Sequence, residues 1–577
     1  MRDASAAMHV AKIVRKHRGT TYVSYLLRQS YRYEGKGKHR TLGNLSHLPP
    51  RLLDLIQRSL AGEVFVSPAE AFRTTQSRPH GHVEAVLTTC RRLDLENLLA
   101  SKPSRQRSLI LALIAQRILF PCSKLATTRY WHTTTLAEEL GVGDANRKEL
   151  YAAMDWLLRR QHDIEQKLAR RYLAEGAVVL YDVSSSYYEG HTCPLACYGH
   201  NRDGKKGLPI IVYGLLTDGQ GRPVALDVYP GNMADPATVP DQIDKLRQRF
   251  ALRRVVLVGD RGLLTQTQIE TLREYPGLGW ISALRSEAIQ GLLERGRLER
   301  SLFDRKDLAE IRSPDFPGER LIACYNPLLA ERRQQKRRRL LEATEANLRR
   351  LEAEVRRRTN KPLSAAAIGL KVGKVLGRYK MAKHFQLQIA DGRFAWLRDA
   401  AAIQREEQLD GIYVIRTSER AKAFPAADCV RTYKSLAQVE QAFRCFKGLD
   451  LRVRPIHHRV DPRVRAHMFL CLLAYYVEWQ MRQALAPLLY ADEELEEDRH
   501  ERDPVKPAQP SATAQTKKET HETESGLPVQ SFGSLLAHLA TRVRNTHQVT
   551  SEPAGATFQQ LTEPDALQAE ALRLLSL

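Results

Sequence analysis

The chain has 577 residues, with 89 Lys and Arg against 66 Asp and Glu, a formal net charge of +23. Hydrophobic residues at 43% and charged residues at 27% are globular proportions, which exclude a wholly disordered or fibrous chain. The length allows three or four domains at roughly 150 residues each, and the cationic excess favours a polyanionic partner, nucleic acid first.

Residues 1–80 form a basic, β-rich region with an expected role in DNA binding. The first fifty residues hold ten Lys and Arg against two acidic residues. The stretch 20–32, TTYVSYLLRQSYR, is rich in β-formers, and Gly35-Lys36-Gly37 marks a turn before 39–42. That pattern predicts a hairpin with a cationic face; the plainer alternative is a sheet edge that Lys and Arg protect from pairing. Residues 81–175 read as helical, with Leu95, Leu98 and Leu99 at i, i+3 and i+4 and a further helix between 149 and 171.

At 177 the pattern changes to buried strands. AVVLYDVS (177–184) is a continuous apolar run that ends in a carboxylate, and PIIVYGLLTD and RPVALDVYPG follow around Gly219-Gln220-Gly221, a hairpin signal. RRVVLVGDRG (253–262) is a further strand, again closing on Asp, with a helix at 265–273 and a strand at 278–284. Strands followed by helices define a mixed α/β core over 176–284 and 411–460. Eight Cys are scattered through the chain, as in a reducing compartment. His191, Cys193, Cys197 and His200 lie close together, but their spacing fits no common zinc module.

Residues 285–410 read as an insertion. Its Arg-rich helix, 331–361, carries twelve Lys and Arg and five Glu, with Leu341, Leu348 and Val355 seven apart. Three heptads suit a helical hairpin arm better than a long coiled coil. The core resumes at 410–418, and an amphipathic helix is expected at 433–446. An apolar helix occupies 461–492, a polar linker 493–530, and a helical tail 531–577. The longest apolar run, near 468–477, is about half of the ~20 residues that span a bilayer, and no apolar stretch follows the first basic residues. No membrane segment or secretory signal is expected; a cytoplasmic protein is.

Three carboxylates stand out. Asp182 and Asp260 close buried strands, and Glu440 sits on the helix after the insertion. A buried carboxylate is costly unless paired, hydrogen-bonded or metal-bound. Two at one sheet edge with a third from a helix form an oxygen-only set suited to Mg²⁺ or Mn²⁺, and phosphodiester hydrolysis or transfer uses two such ions. The plainer alternative is that each Asp caps a turn or pairs with a neighbour such as Arg261. Tyr433, Glu440 and Lys447 are seven apart, so on one continuous helix they share a face. Asn232 and Asp235 are weaker candidates for the same site, Asp227 has no evident role, and Trp280, Trp396 and Tyr413 suit core packing better than base stacking. His457 and His458 suit a structural pair better than a DNA contact.

Four ordered blocks resemble a DDE transposase of a bacterial insertion sequence: YDVSSSYYEG (181–190), GLLTDGQGRPVALDVYPGNMADPAT (214–238), VVLVGDRGLLT (255–265) and YKSLAQVEQAFRCFK (433–447). The N-terminal YVSYLLRQSYRYEGKGKHRTLGNLSHLP has the same look. The resemblance spans roughly 175–480. It implies an RNase-H-like, retroviral-integrase-like mixed sheet, with a large insertion before the Glu helix, an N-terminal β-hairpin and helical region, and C-terminal helices.

The resemblance also implies the site. Asp182, Asp260 and Glu440 match the catalytic and metal-binding triad for two Mg²⁺ or Mn²⁺ ions. Tyr433 and Lys447 match DNA-contacting residues of the Glu helix; the chain departs at the signature Arg, where it has Leu436, and Arg444 one turn after Glu440 is expected to supply that charge. The implied activity is cleavage at insertion-sequence ends and strand transfer. The implied partners are double-stranded DNA, both terminal inverted repeats and target, and at least a second copy in the synaptic complex. The alternatives are an RNase-H-like nuclease that does not join, and a non-catalytic DNA-binding protein derived from a transposase.

Overall fold

The computed structural model describes residues 7–65, 67, 71–304, 306–495, 501–550 and 555–577. They divide into two compact units, Met1–Ser77 with Arg544–Thr562, and Arg78–Val543 with Glu563–Leu577.

The first unit contains an antiparallel sheet of β1 (Met8–His17), β2 (Thr20–Tyr33) and β3 (Lys36–Asn44). Both turns are two residues long, Arg18-Gly19 and Glu34-Gly35, and all four residues have positive φ, the geometry that matches strand twist in tight hairpins. The expected hairpin is thus joined by a strand, β1, which the alternation in MHVAKIVRKH conceals among its charges. A helix, Pro50–Leu60, follows. Strand β4 (Phe72–Pro79) pairs with Val543–Val549, which in turn pairs with Thr557–Leu561. The tail expected to be helical from 531 therefore contributes two strands, because its partner lies more than 460 residues away in the chain.

The second unit is built on an eight-stranded sheet. Its strands are β5 (Ala177–Tyr187), β6 (Ile210–Asp218), β7 (Pro223–Pro230), β8 (Val255–Val258), β9 (Leu278–Ala283), β10 (Leu308–Ile311), β11 (Arg320–Tyr325) and β14 (Ile412–Thr417), in the order β10-β11-β14-β9-β8-β5-β6-β7. The β5–β8 and β8–β9 pairs are parallel and the others antiparallel. Strands β8 and β9 are buried at every residue, which is why their sequences lack alternation.

Helices α1 (Arg105–Leu119) and α2 (Arg147–Arg159) pack on the C-terminal helix described below. Between β11 and β14 the chain leaves the sheet as α3 (Pro327–Arg357), α4 (Ala365–Tyr379) and the hairpin β12 (Phe385–Ala390) and β13 (Arg393–Arg398). Leu341, Leu348, Leu351 and Val355 of α3 meet Ile368, Val372 and Leu376 of α4 in a separate small core, a helical hairpin rather than a coiled coil. The insertion is shorter than 285–410: β10 and β11 extend the main sheet, their short apolar runs hidden among charges.

After β14 come α5 (Ala426–Lys434), α6 (Leu436–Lys447) and α7 (Asp461–Ala484). Helix α7 is buried on nearly every side against α1, α2 and β7, which explains its unbroken apolar run. The segment expected to be a polar linker carries a helix, Ala512–Thr520. It is anchored by buried Lys517, whose ammonium pairs with Glu493 and donates to the Ala486 carbonyl at 3.2 Å. Among the described residues no single helix is long and apolar enough to cross a membrane.

Candidate active site

Parallel pairing sets the first two carboxylates. Leu180 of β5 lies opposite Val258 of β8, so Asp182 and Asp260, each two residues further on, come level along neighbouring paths. Asp260 stands just past the end of β8. Asp182 is not at a strand end as expected, because Ser184–Tyr187 continue to pair with β6. Behind it, the Tyr181 hydroxyl donates to Thr238 Oγ1 at 2.9 Å, and its ring lies where a side chain on Gly214 would stand; a Cβ there would sit 2.1 Å from the Tyr181 hydroxyl.

Each Asp is held by one oxygen. Asp182 Oδ1 accepts from Val183 N at 2.7 Å, and Asp260 Oδ1 accepts from Gly262 N at 2.9 Å and Leu263 N at 2.7 Å. Among the described residues no donor reaches the second oxygen of either. Glu440 comes from α6, whose Val439, Ala442, Phe443 and Phe446 are buried; Phe443 meets Tyr213 edge-on at 5.7 Å. That packing leaves Glu440 exposed on the opposite face, lining one cleft of about 760 Å³ with Asp182, Asp260, Arg444 and Lys447.

The cleft is short of positive charge at the carboxylates. Burial pushes the Asp182 carboxyl up to about 7; its Val183 hydrogen bond and Arg202 oppose the rise, and the charges of Asp260 and Glu440 add to it. A half-buried carboxyl beside two others, each with an oxygen free of donors, fits a divalent cation, which takes oxygen ligands and neutralises the cluster. A tighter group of ligand atoms, within 4.8 Å of one another, belongs to Cys445, Asp450 and Glu478, but Arg482 already pairs with Asp450 at 3.2 Å and Glu478 at 2.7 Å. His191, Cys193, Cys197 and His200 form no such group among the described residues.

A second carboxylate layer escaped sequence reasoning. Asp203, its side chain 1% exposed, holds Lys447 at 3.2 Å and Arg454 at 2.5 Å on one oxygen, and its other oxygen accepts from Tyr187 N at 3.1 Å. Arg202 pairs with Asp235, and all of these line the cleft except Tyr187. The loop HNRDGKKG offers no periodicity, and only its mixture of Asp with Arg and Lys hinted at ion pairing. Asp235 is thus in the cleft, and Asn232 is not among the residues lining it.

The helix that carries Tyr433 requires a correction. The expected helix 433–446 is two helices that meet at Ser435, and the Tyr433 phenol still lies within reach of the charges of Asp260, Asp182 and Glu440. Tyr433, next to last in α5, lines a neighbouring cavity of about 130 Å³ with Arg261, Arg333 and Tyr413. Burial, then the nearby charge of Asp260, pushes its phenol up to about 12. Leu436 occupies the first turn of α6, half-buried. Asp227 pairs with Lys245 and accepts from Gln242 at 2.8 Å, a structural role. Trp280 is buried on β9 and Trp396 packs on Phe385 at 5.8 Å.

Comparison with known proteins places the chain in a family. Residues 178–477 match the model of the transposase DDE domain, and the chain belongs to this family of transposases, enzymes that cut and join DNA with divalent metal. Residues 10–64 match the N-terminal domain of IS1634 family transposases, which makes the chain an insertion-sequence transposase. Among solved structures it is similar to a piggyBac transposase synaptic complex with hairpin DNA, at 12% identity over 77% of this chain and 88% of that one. With a TM-score of 0.25, that likeness bears on neither fold nor mechanism. No curated protein matches the chain.

Proposed function

We propose that Asp182, Asp260 and Glu440 are the catalytic carboxylates of an RNase-H-like core, holding two Mg²⁺ or Mn²⁺ ions for cleavage at the ends of the chain's own element and strand transfer into target DNA. The observation that carries this reading is the parallel β5–β8 register, which brings Asp182 level with Asp260, together with Glu440 on the wall of the same cleft. A mixed sheet whose antiparallel β5–β6–β7 portion continues into parallel β8 and β9 supports the RNase-H-like assignment.

Bound divalent metal supplies activation of the attacking oxygen and stabilisation of the leaving one. The chain's own groups do the rest. Asp182 and Asp260 each turn one oxygen toward the cleft because backbone amides fix the other. Arg444 and Lys447, on the same face of α6 as Glu440, receive the phosphates that flank the cut bond. Asp203 keeps Lys447 and Arg454 in place. Tyr433 approaches the DNA from the adjoining cavity rather than from α6. The cationic first fifty residues and α3 hold further DNA, and two or more copies act together in the cytoplasm.

The test is incubation of the full chain with labelled element-end duplex, target plasmid and Mg²⁺. Joined products are expected. Nicked ends with no joined product would reduce the activity to that of a nuclease, and no metal-dependent cut at all would remove the assignment.

A further inference from the structure

Beside the catalytic cleft lies a groove of about 670 Å³ whose walls include Arg147 and Lys148 on the first turn of α2, His457 and Arg459 on the loop before α7, and Arg463 on its first turn. Among the described residues Arg147, Lys148 and Arg459 have no ion-pair partner. The neighbouring Glu149 is engaged elsewhere, by Arg105 at 3.2 Å and the Asn146 amide at 3.0 Å. Arg463 stands 3.9 Å from Asp155 and lies over the Tyr151 ring at 4.4 Å.

The wall behind the groove holds further basic side chains, which burial and the surrounding cations keep from being fully charged. His458 meets Tyr151 edge-on at 6.1 Å. Burial first, then the charges of Lys124, Arg117 and Arg463, press its ring down to about 3. Lys124, 4% exposed, is lowered to about 7 by its burial and then by Arg117. Arg147, Lys148, Arg459 and Arg463 line the groove and no Asp or Glu does, so it is a concave cationic surface suited to a polyanion of regular charge.

Its position selects the polyanion. Arg454 lines the catalytic cleft and His457, three residues on, lines the groove; three residues of chain span at most roughly 10 Å. Ile456 between them is pinned to Tyr188, just beyond β5. The strip 454–460 therefore has one end in each depression.

We propose that this groove binds the phosphodiester backbone of duplex DNA running out of the catalytic cleft, without regard to sequence. The proposal rests on the cutting and joining assigned to that cleft. The same chemistry has two sources, DNA flanking the element and target DNA.

The test measures binding of fluorescent duplexes to the full-length protein in chelator, where no cutting occurs, from about 50 to 200 mM salt. Three duplexes are compared: an element end with flank, an end without flank, and an unrelated sequence. The triple variant Arg147→Gln, Lys148→Gln, Arg459→Gln is set against a charge-matched control, Arg91→Gln, Arg92→Gln, Lys102→Gln.

Each lost phosphate contact lowers the slope of log affinity against log salt by about 0.9, so the groove variant is expected to lose about 2.7 and to bind at least tenfold more weakly. Loss confined to the flanked end assigns the groove to flanking DNA, and loss on the unrelated duplex extends it to target. An unchanged slope, or an equal loss in the control, overturns the proposal. Melting curves check folding, and if the triple variant is unfolded, Arg459→Gln alone must lower the slope by about 0.9 or the proposal fails. Wild-type protein that binds no duplex overturns both this proposal and the DNA-processing assignment, whereas intact wild-type binding with an unaffected variant removes the groove alone.

Discussion

Lys447 Nζ lies 3.2 Å from Asp203 Oδ1, on a carboxylate that is 1% exposed and shared with Arg454. Burial lowers the Lys447 ammonium, Asp203 raises it again, and Arg454 and Arg202 push it down. Asp203 touches no substrate in this arrangement; it positions two cations and keeps one of them charged.

Asp203→Asn is therefore expected to slow metal-dependent cleavage by roughly tenfold, equivalent to about 1.4 kcal/mol in the barrier. Because the variant loses the neighbour that raises Lys447, the alkaline limb of the activity profile moves to lower pH. An unaltered pH profile with normal cleavage would remove Asp203 from the site's support.

Beneath β7, Glu165 at 0% exposure is paired with Arg249 at 2.8 Å and Lys245 at 3.7 Å, and Lys245 at 2% also holds Asp227. Removing one member strands buried charge, at a cost of ~3–5 kcal/mol. Lys245→Met should lower the denaturant midpoint accordingly, and a midpoint near wild type would show that the cluster is hydrated.

Gly214→Ala should destabilise by about 1–3 kcal/mol, the range for overpacking, since the new Cβ would stand 2.1 Å from the Tyr181 hydroxyl and 2.7 Å from its ring. Displacing Tyr181 also disturbs Asp182, so cleavage falls with stability. Adding Tyr181→Leu should recover part of the stability; no recovery would place the strain elsewhere.

Besides His458, which burial lowers to about 3, two buried histidines tie stability to pH. Burial, then His80, lowers His82 to about 4, and burial, then Arg117, lowers His467 well below 6.5. Both stay neutral in the folded chain while the unfolded chain takes up protons below about 6.5, so stability present above that pH is lost on acidification. The slope is about 1.4 kcal/mol per pH unit for each histidine, levelling off for His82 near 4. Chemical denaturation between pH 7.5 and 5 checks this, and His467→Met should flatten the dependence; equal slopes in variant and wild type would contradict it.

The parts of the site written in short, contiguous blocks were legible in the sequence. Asp182 and Asp260 follow apolar runs that only buried strands require, and Glu440 lies on a helix with an evident apolar face. What was not legible depends on pairing across long distances. Asp203 meets Lys447 across 244 residues, and Val543–Val549 pairs with Phe72–Pro79 only once the fold is formed. The break at Ser435 has no Pro or Gly to announce it, so one helix was expected where there are two. The groove beside the cleft draws on residues near 147 and 459, which no local pattern connects. The charge of +23 is concentrated: the first fifty residues and the 331–361 segment together hold fifteen of it, and the groove adds a third concentration.

Substitution of the three carboxylates bears most directly on the assignment of the cleft. Asp182→Asn, Asp260→Asn and Glu440→Gln are each compared with the wild type for Mg²⁺-dependent nicking of a labelled element-end duplex, with DNA binding in chelator as the control for folding. All three variants should bind the duplex and lose nicking by at least a hundredfold. Nicking at the wild-type rate in any one of them would contradict the triad.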